Sequence, residues 1–270
     1  MLVDSHAHLN FQAYKDDLSE VIGRCRQANM RVINIGAAYD TSLKAVNLAL
    51  AEPSFYSAIG LHPTHVYDEE FKTEHYQDLI ASSRGRVVAM GESGFDYFHI
   101  PELLEKGVKS IAEIKAKQEE VFRAHIKLAR ENNLALVVHG RNGKDDNTAY
   151  QDIYRVLKDE NFQKGVIHCY GGNLEEAKAF VELGFYIGFT GIITFDKTGA
   201  LAEIAQWIPE DKMLIETDAP YLTPEPNRGK RNEPIYVQHV AAKLSQIRNK
   251  NIDEIVEITG NNANKLFDLK

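Results

Sequence analysis

Short apolar runs alternate with amphipathic stretches along the whole chain. The runs fall near residues 2–4, 32–36, 55–60, 87–91, 134–138, 165–167, 185–189 and 213–215. They are rich in Val and Ile, as expected of strands covered on both faces. Between them, helical periodicity predicts helices near 17–29, 41–52, 74–83, 117–133, 148–158, 174–183, 199–207 and 234–248. In the fourth of these, Val121, Phe122, Ile126 and Ala129 keep helical spacing. A last helix over 252–267 carries Ile255, Val256 and Ile258 and is expected to pack outside the sheet. Eight strand–helix units in about 250 residues point to a closed (β/α)8 TIM barrel with an additional C-terminal helix. A doubly wound open sheet is the competing architecture. No internal repeat, low-complexity tract or linker interrupts the pattern, so residues 1–270 read as a single domain. Two long connections stand out, 95–116 after the fourth strand and 221–233 after the eighth. Long loops on the carboxyl side of barrel strands are where such folds place specificity.

Composition narrows the class without naming a function. The chain has 270 residues, 44% of them hydrophobic, enough for a large core. Lys plus Arg number 31 against 39 acidic residues, a net charge of −8. That balance argues against coating long duplexes by charge, although a small phosphate pocket supplied with metal charge remains open. Cys25 and Cys169 form no framework and suggest a reducing compartment. No apolar run is long enough for a bilayer, and no basic-then-apolar leader opens the chain. The expectation is a cytoplasmic protein with no membrane partner and no obligate protein partner.

Candidate chemistry gathers at the strand ends. His6 and His8 follow the first strand, and period-two alternation puts them on one face. Glu92 follows the fourth strand, His139 ends the fifth, His168 ends the sixth, and Asp218 follows the eighth. All six occupy the carboxyl end, the face that carries active sites in barrels. Four imidazoles and two carboxylates exceed the needs of one tetrahedral ion and suit two divalent metals sharing a carboxylate. Imidazole favours Zn²⁺, whereas a shared carboxylate and a phosphate substrate admit Mg²⁺ or Mn²⁺.

The segments Asp4-Ser5-His6-Ala7-His8, Gly91-Glu92-Ser93-Gly94-Phe95-Asp96-Tyr97, Val138-His139-Gly140-Arg141, His168-Cys169-Tyr170-Gly171-Gly172 and Glu216-Thr217-Asp218-Ala219-Pro220-Tyr221-Leu222-Thr223-Pro224 together resemble the TatD family of metal-dependent deoxyribonucleases, within the amidohydrolase superfamily. Gly60-Leu61-His62-Pro63 and Arg231-Asn232-Glu233-Pro234 add to the likeness, which runs from the first residues to the last helix. The resemblance implies hydrolysis of DNA phosphodiesters, on single strands or strand ends, commonly as a 3′→5′ exonuclease supported by Mg²⁺. It also implies that His6, His8, Glu92, His139, His168 and Asp218 ligate metal, with Glu92 bridging and Asp218 beside the attacking water. One ion is then assigned to His6, His8, Glu92 and Asp218, the other to Glu92, His139 and His168, with Asp218 as general base. Asn10, Asn142 and the Gly171-Gly172-Asn173 run depart from the usual pattern without removing a ligand, and the 101–116 loop looks longer than usual.

Three further residues are candidates for substrate. Arg141 has the planar fork that suits phosphate, or it stands solvated in its loop. His62 ends the third strand and either meets substrate, supports a ligand or packs in its loop. Arg231, with Arg228 and Lys230, forms a basic cluster that either touches DNA backbone or lines a solvated turn. Asp4 and Glu216 are expected to orient ligand imidazoles, Asp96 and Tyr97 to shape the rim. His65, His75, His99, His125 and His239 are expected to be structural or solvent-facing, and Cys169 to pack. The competing function is hydrolysis of a small ester, amide or phosphoester by another amidohydrolase chemistry. Relatives that bridge metals through a carbamylated lysine place it where Glu92 stands, and deaminase-like relatives need a Glu where this chain has Asn142. A metal-bearing scaffold without turnover is the remaining alternative, and the lack of thiolate ligands disfavours it.

Overall fold

A computed structural model describes all 270 residues. The chain runs β1 (Val3–Ala7), α1 (Leu18–Gln27), β2 (Arg31–Ile35), α2 (Tyr39–Ala51), β3 (Phe55–Ile59), α3 (Thr73–Ser82), β4 (Val87–Asp96), α4 (Ile100–Glu105), α5 (Ile111–Glu131), β5 (Ala135–Arg141), α6 (Ala149–Asp159), β6 (Gly165–Ile167), α7 (Leu174–Glu182), β7 (Tyr186–Phe189), α8 (Ala200–Trp207), β8 (Met213–Ile215), α9 (Val237–Arg248) and α10 (Ile252–Phe267). The eight strands pair in sequence order, all parallel. Ala7 bridges Ala219, and the His8 amide donates to the Ala219 carbonyl at 2.8 Å, so the segment after β8 returns to β1. The sheet is a (β/α)8 barrel and not an open doubly wound sheet. No helix is long and apolar enough to cross a membrane.

Alternation along the strands divides the core into two layers. Ile33, Ala58, Val137, Val166 and Leu214 fill the barrel interior, while Val32, Leu136, Ile167 and Ile215 pack outward against the helices. The interior continues into α10, whose Ala263, Leu266 and Phe267 join the same cluster. Asn262 on α10 donates to the carbonyl of Met213, the first residue of β8, at 2.9 Å. Instead of lying outside the barrel, α10 caps its amino-terminal mouth. That burial leaves the carboxyl mouth as the open end.

Two strands break their alternation where the candidate residues lie. Pairing of β1 with β2 shifts between Asp4 and Ala7, and pairing of β4 with β5 shifts between Met90 and Ser93. Val3 and Ala89 face inward, so unbroken alternation would turn His6 and Glu92 outward. A one-residue shift in each strand restores both to the cavity. Only glycine fits the β4 kink: Gly91 has φ +139, and a Cβ there would lie 2.3 Å from the Val137 carbonyl oxygen.

The connection after β4 is more ordered than expected. It contains α4, and α5 starts at Ile111, six residues before the predicted 117. The Ser110 side chain accepts from the Glu113 amide at 3.2 Å, an N-cap that the interrupted apolar spacing concealed. On the buried face of α5, Phe122 meets Phe95 of β4 edge-on with centroids 6.0 Å apart. Replacing Phe122 with Ala should cost about 3–5 kcal/mol of stability, because the ring is fully buried between helix and strand. Urea unfolding checks this; a loss below about 1 kcal/mol would show that this packing does not hold β4 in place.

Candidate metal centre

The carboxyl mouth opens into a cavity of about 820 Å³ lined by His8, Glu92, His139, His168 and Asp218 among others. His6 lies behind this lining, fully buried, with its ring stacked on His168 at 3.4 Å. His6 Nε2 and His8 Nε2 are 3.1 Å apart. Glu92 Oε2 is 3.4 Å from His6 Nε2 and 3.9 Å from His8 Nε2. Asp218 Oδ1 is 3.7 Å from the first and 3.3 Å from the second. Donors bonded to one ion at about 2.0–2.2 Å have mutual separations of this size. His8 Nδ1 donates to the Ile35 carbonyl at 2.9 Å, which leaves its Nε2 lone pair aimed into the group. The donor set therefore fits a divalent cation.

The other Glu92 oxygen faces a second cluster. Oε1 lies 2.7 Å from His139 Nδ1, 3.7 Å from His168 Nε2 and 3.7 Å from His62 Nε2. His139 Nε2 meets Asp96 Oδ2 at 3.0 Å, and His62 Nε2 is 3.3 Å from His139 Nδ1. His62, Asp96 and His139 thus form a compact group able to hold an ion, as do His6, His8 and Asp218. Glu92 touches both. Asp96, expected at the rim, is buried beneath His139 and also binds His99 Nδ1 at 2.9 Å.

Charges in the cluster shift one another strongly. Burial opposes ionisation of Glu92, yet the His6, His168 and His62 imidazoles hold its carboxyl well below the usual range. Burial likewise disfavours protonated His139 and His168, but Asp96 and Glu92 raise the first to about 10, and Glu216 and Glu92 raise the second to about 9. Burial and the neighbouring His139 push His62 down to about 3. In the absence of metal, His139 and His168 therefore carry the protons that compensate the acidic groups.

Supporting residues fix these side chains. Glu216 is buried, with Oε1 2.8 Å from His168 Nδ1, off line for a hydrogen bond but within ion-pair range. The Cys169 amide donates to the same oxygen at 2.5 Å. Asp4 differs from expectation: it accepts from the His6 amide at 3.3 Å and from the Thr217 amide and hydroxyl at 2.9 and 2.6 Å, holding backbone and not a ligand ring. Burial pushes its carboxyl up to about 8, against the pull of those donors. Asp218 (φ 56), Cys169 (φ 45) and Leu222 (φ 52) sit in the left-handed region around the mouth, local strain that the surrounding bonds must hold.

On α5, His125 is structural, one of the two roles expected of it, whereas Gln118 escapes a sequence reading. His125 Nε2 accepts from the Leu61 amide at 3.0 Å while its Nδ1 donates to the Val121 carbonyl, anchoring the loop that presents His62. Gln118 bonds the Asp96 backbone in both directions and the Pro63 carbonyl. Their signal is a pair of polar residues seven apart on an otherwise apolar helix face. Asn10 also has a structural explanation: its Nδ2 donates to the Ile35 and Thr41 carbonyls, which an Asp could not do.

The candidate substrate residues separate. His62 and Arg141 line the cavity, and the Arg141 guanidinium lies 4.0 Å over the Phe98 ring. Arg231 does not line it. Its guanidinium grips Asp17 at 2.7 and 2.6 Å, bonds the Ala13 carbonyl and covers Tyr14, tying the 221–233 connection to the start of α1. Arg228 lies over Phe195, so the basic cluster is largely consumed by internal contacts. His65 and His99, expected to be structural or solvent-facing, also line the cavity.

Two expectations follow for metal binding. Ligand nitrogens must be neutral, so loading the metal-free protein at neutral pH should expel about two protons, from His139 and His168. Affinity should then rise with pH until those groups titrate. Calorimetry in buffers of differing ionisation enthalpy reads the proton number; none released would contradict the charge balance. Replacing Glu216 with Ala should weaken metal binding about 10–100-fold by freeing His168, as titration of metal-free protein would reveal. Unchanged affinity would limit Glu216 to a packing role.

Comparison with known proteins agrees with this geometry. The family model described as "TatD related DNase" matches residues 3–268. A metal-dependent hydrolase of Bacillus subtilis (strain 168), YabD, is 38% identical over 99% of both chains. Another from Escherichia coli (strain K12), YcfH, is 32% identical over 98% of this chain and 95% of its own. Among solved structures, the TatD homolog YJJV from Escherichia coli K12 superposes with a TM-score of 0.86 at 27% identity, covering 100% of this chain and 98% of that one. By sequence, by fold and by the donor groups gathered at its open mouth, the chain belongs to the TatD family and is a metal-dependent hydrolase.

Proposed function

We propose that this protein hydrolyses phosphodiester bonds of DNA, removing nucleotides from single strands or strand ends in the 3′→5′ direction. The observation that carries the reading is Glu92, one carboxylate with an oxygen 3.4 Å from His6 Nε2 and the other 2.7 Å from His139 Nδ1. Such a bridge suits two ions, for which His6, His8 and Asp218 supply donors on one side and His139 and His168 on the other. Two bound divalent cations, Mg²⁺, Mn²⁺ or Zn²⁺, would neutralise phosphate charge and acidify water. The family description names DNases, and Glu92 stands where amide- and triester-hydrolysing relatives would need a lysine.

The remaining steps belong to side chains. Asp218 faces the cavity, and its carboxyl is held below the usual range by the His8, His168 and His6 imidazoles despite burial. Ionised, it accepts the proton of the attacking water and acts as general base. Arg141, which lines the same cavity with its guanidinium over the Phe98 ring, takes a non-bridging phosphate oxygen. His62, kept neutral beside His139 and Glu92, meets the phosphate from the end of β3.

A time course on 3′- and 5′-labelled single-stranded DNA, with Mg²⁺, Mn²⁺ or Zn²⁺ against chelator, tests the reading. The expected result is a ladder shortening from the 3′ end only when metal is present. No cleavage, alongside metal-dependent turnover of a small ester or amide, would transfer the protein to the competing chemistry. Asp218→Asn should lower kcat by about 10²–10⁴-fold with the melting temperature retained. Full activity in that variant would remove Asp218 from the role of base.

A further inference from the structure

The cavity is poorly equipped to hold a polyanion by charge. Lys106 and Arg141 are the only lysine or arginine residues lining it, against Asp68, Glu92, Asp96, Glu102 and Asp218. Lys106 is itself 3.3 Å from Asp68. Few phosphates can be neutralised here, so affinity for a nucleic acid must come from another contact. Base stacking is the natural complement, because every base offers a π-face and no sequence readout is needed.

Tyr221 meets the requirement. It lines the cavity three residues after Asp218, and at 54% exposure it is the most exposed aromatic side chain in the protein. Its backbone is fixed: its amide donates to the Asp218 carbonyl at 2.8 Å, and its own carbonyl accepts from buried Asn232 at 2.6 Å. Its hydroxyl has no hydrogen-bond partner in the protein, no aromatic ring stacks parallel on it, and its one ring neighbour, His8, stands at 67° with centroids 6.5 Å apart. A rigid backbone carrying a free aromatic face beside the general base is an arrangement for a flat ligand.

We propose that Tyr221 is the stacking platform for an unpaired nucleobase next to the scissile phosphate, so that the site selects strand ends whose terminal base has no partner. The inference rests on the nuclease reading above. A base held in a duplex keeps both faces against its neighbours and must be freed before it can lie on Tyr221. Selection for frayed or single-stranded ends follows from that cost, without any contact to base edges.

The test compares single-stranded oligonucleotides that end in a normal nucleotide or in an abasic tetrahydrofuran residue, with the metal-loaded wild-type protein, Tyr221→Leu and Tyr221→Trp. The wild-type KM should favour the base-bearing end by about 10-fold, within the range known for one stacked base. In Tyr221→Leu this ratio should fall to about twofold or less, and in Tyr221→Trp it should be kept, which a merely structural role for Tyr221 would not produce. A wild-type protein without the preference, or a Tyr221→Leu variant that retains it, overturns the stacking role while leaving the nuclease reading standing. Failure of the wild-type protein to cleave either oligonucleotide overturns both.

Discussion

The structure depends on one electrostatic constraint: largely buried imidazole nitrogens and carboxylate oxygens converge at one mouth with few lysine or arginine side chains to compensate them. His6 Nε2 and His8 Nε2 stand 3.1 Å apart with carboxylate oxygens around them. Such a group is costly to bury unless protons or cations occupy it. Without metal, protons on His139 and His168 serve, drawn there by Asp96, Glu92 and Glu216. With metal, the same nitrogens become ligands. The site is therefore built so that proton loss and cation uptake are one event.

The barrel's departures from regularity serve that convergence. The shifts in β1 and β4 cost ladder pairing, and Gly91 costs backbone entropy, yet without them His6 and Glu92 would point into the helical layer. Left-handed residues at Cys169, after β6, and at Asp218 and Leu222, after β8, hold two connections at the mouth in conformations that Asp tolerates better than Cys or Leu. Tertiary bonds hold them, such as that from the Cys169 amide to Glu216 and that from the Asp218 amide to the His6 carbonyl. Capping of the opposite mouth by α10 seals the interior and keeps chemistry at one end.

Much of this was legible in the sequence, for identifiable reasons. A fully covered parallel sheet leaves uniform apolar runs, so eight strands and their order could be read directly, and β6 and β8 fall where the apolar runs predict. Titratable residues immediately after such runs must lie at the carboxyl mouth, which placed His139, His168 and Asp218 there. Period-two reasoning paired His6 with His8 on one face, although it assumed a regular strand and so misjudged Asp4. What stayed hidden depends on contacts across the fold. Asp96 beneath His139, Gln118 behind the loops and the loop contact of His125 depend on partners 22 to 64 residues away. Arg231 looked free because its partner, Asp17, lies 214 residues distant.

The central claim is that Glu92 joins two cations at this mouth. Diffraction from metal-soaked crystals, recorded on either side of the Mn²⁺ or Zn²⁺ absorption edge, tests it most directly. The account predicts two anomalous peaks flanking the Glu92 carboxylate, roughly 3.5–4 Å apart, one against His6, His8 and Asp218 and the other against His139. A single peak away from Glu92, or none in the cavity at saturating metal, would contradict it.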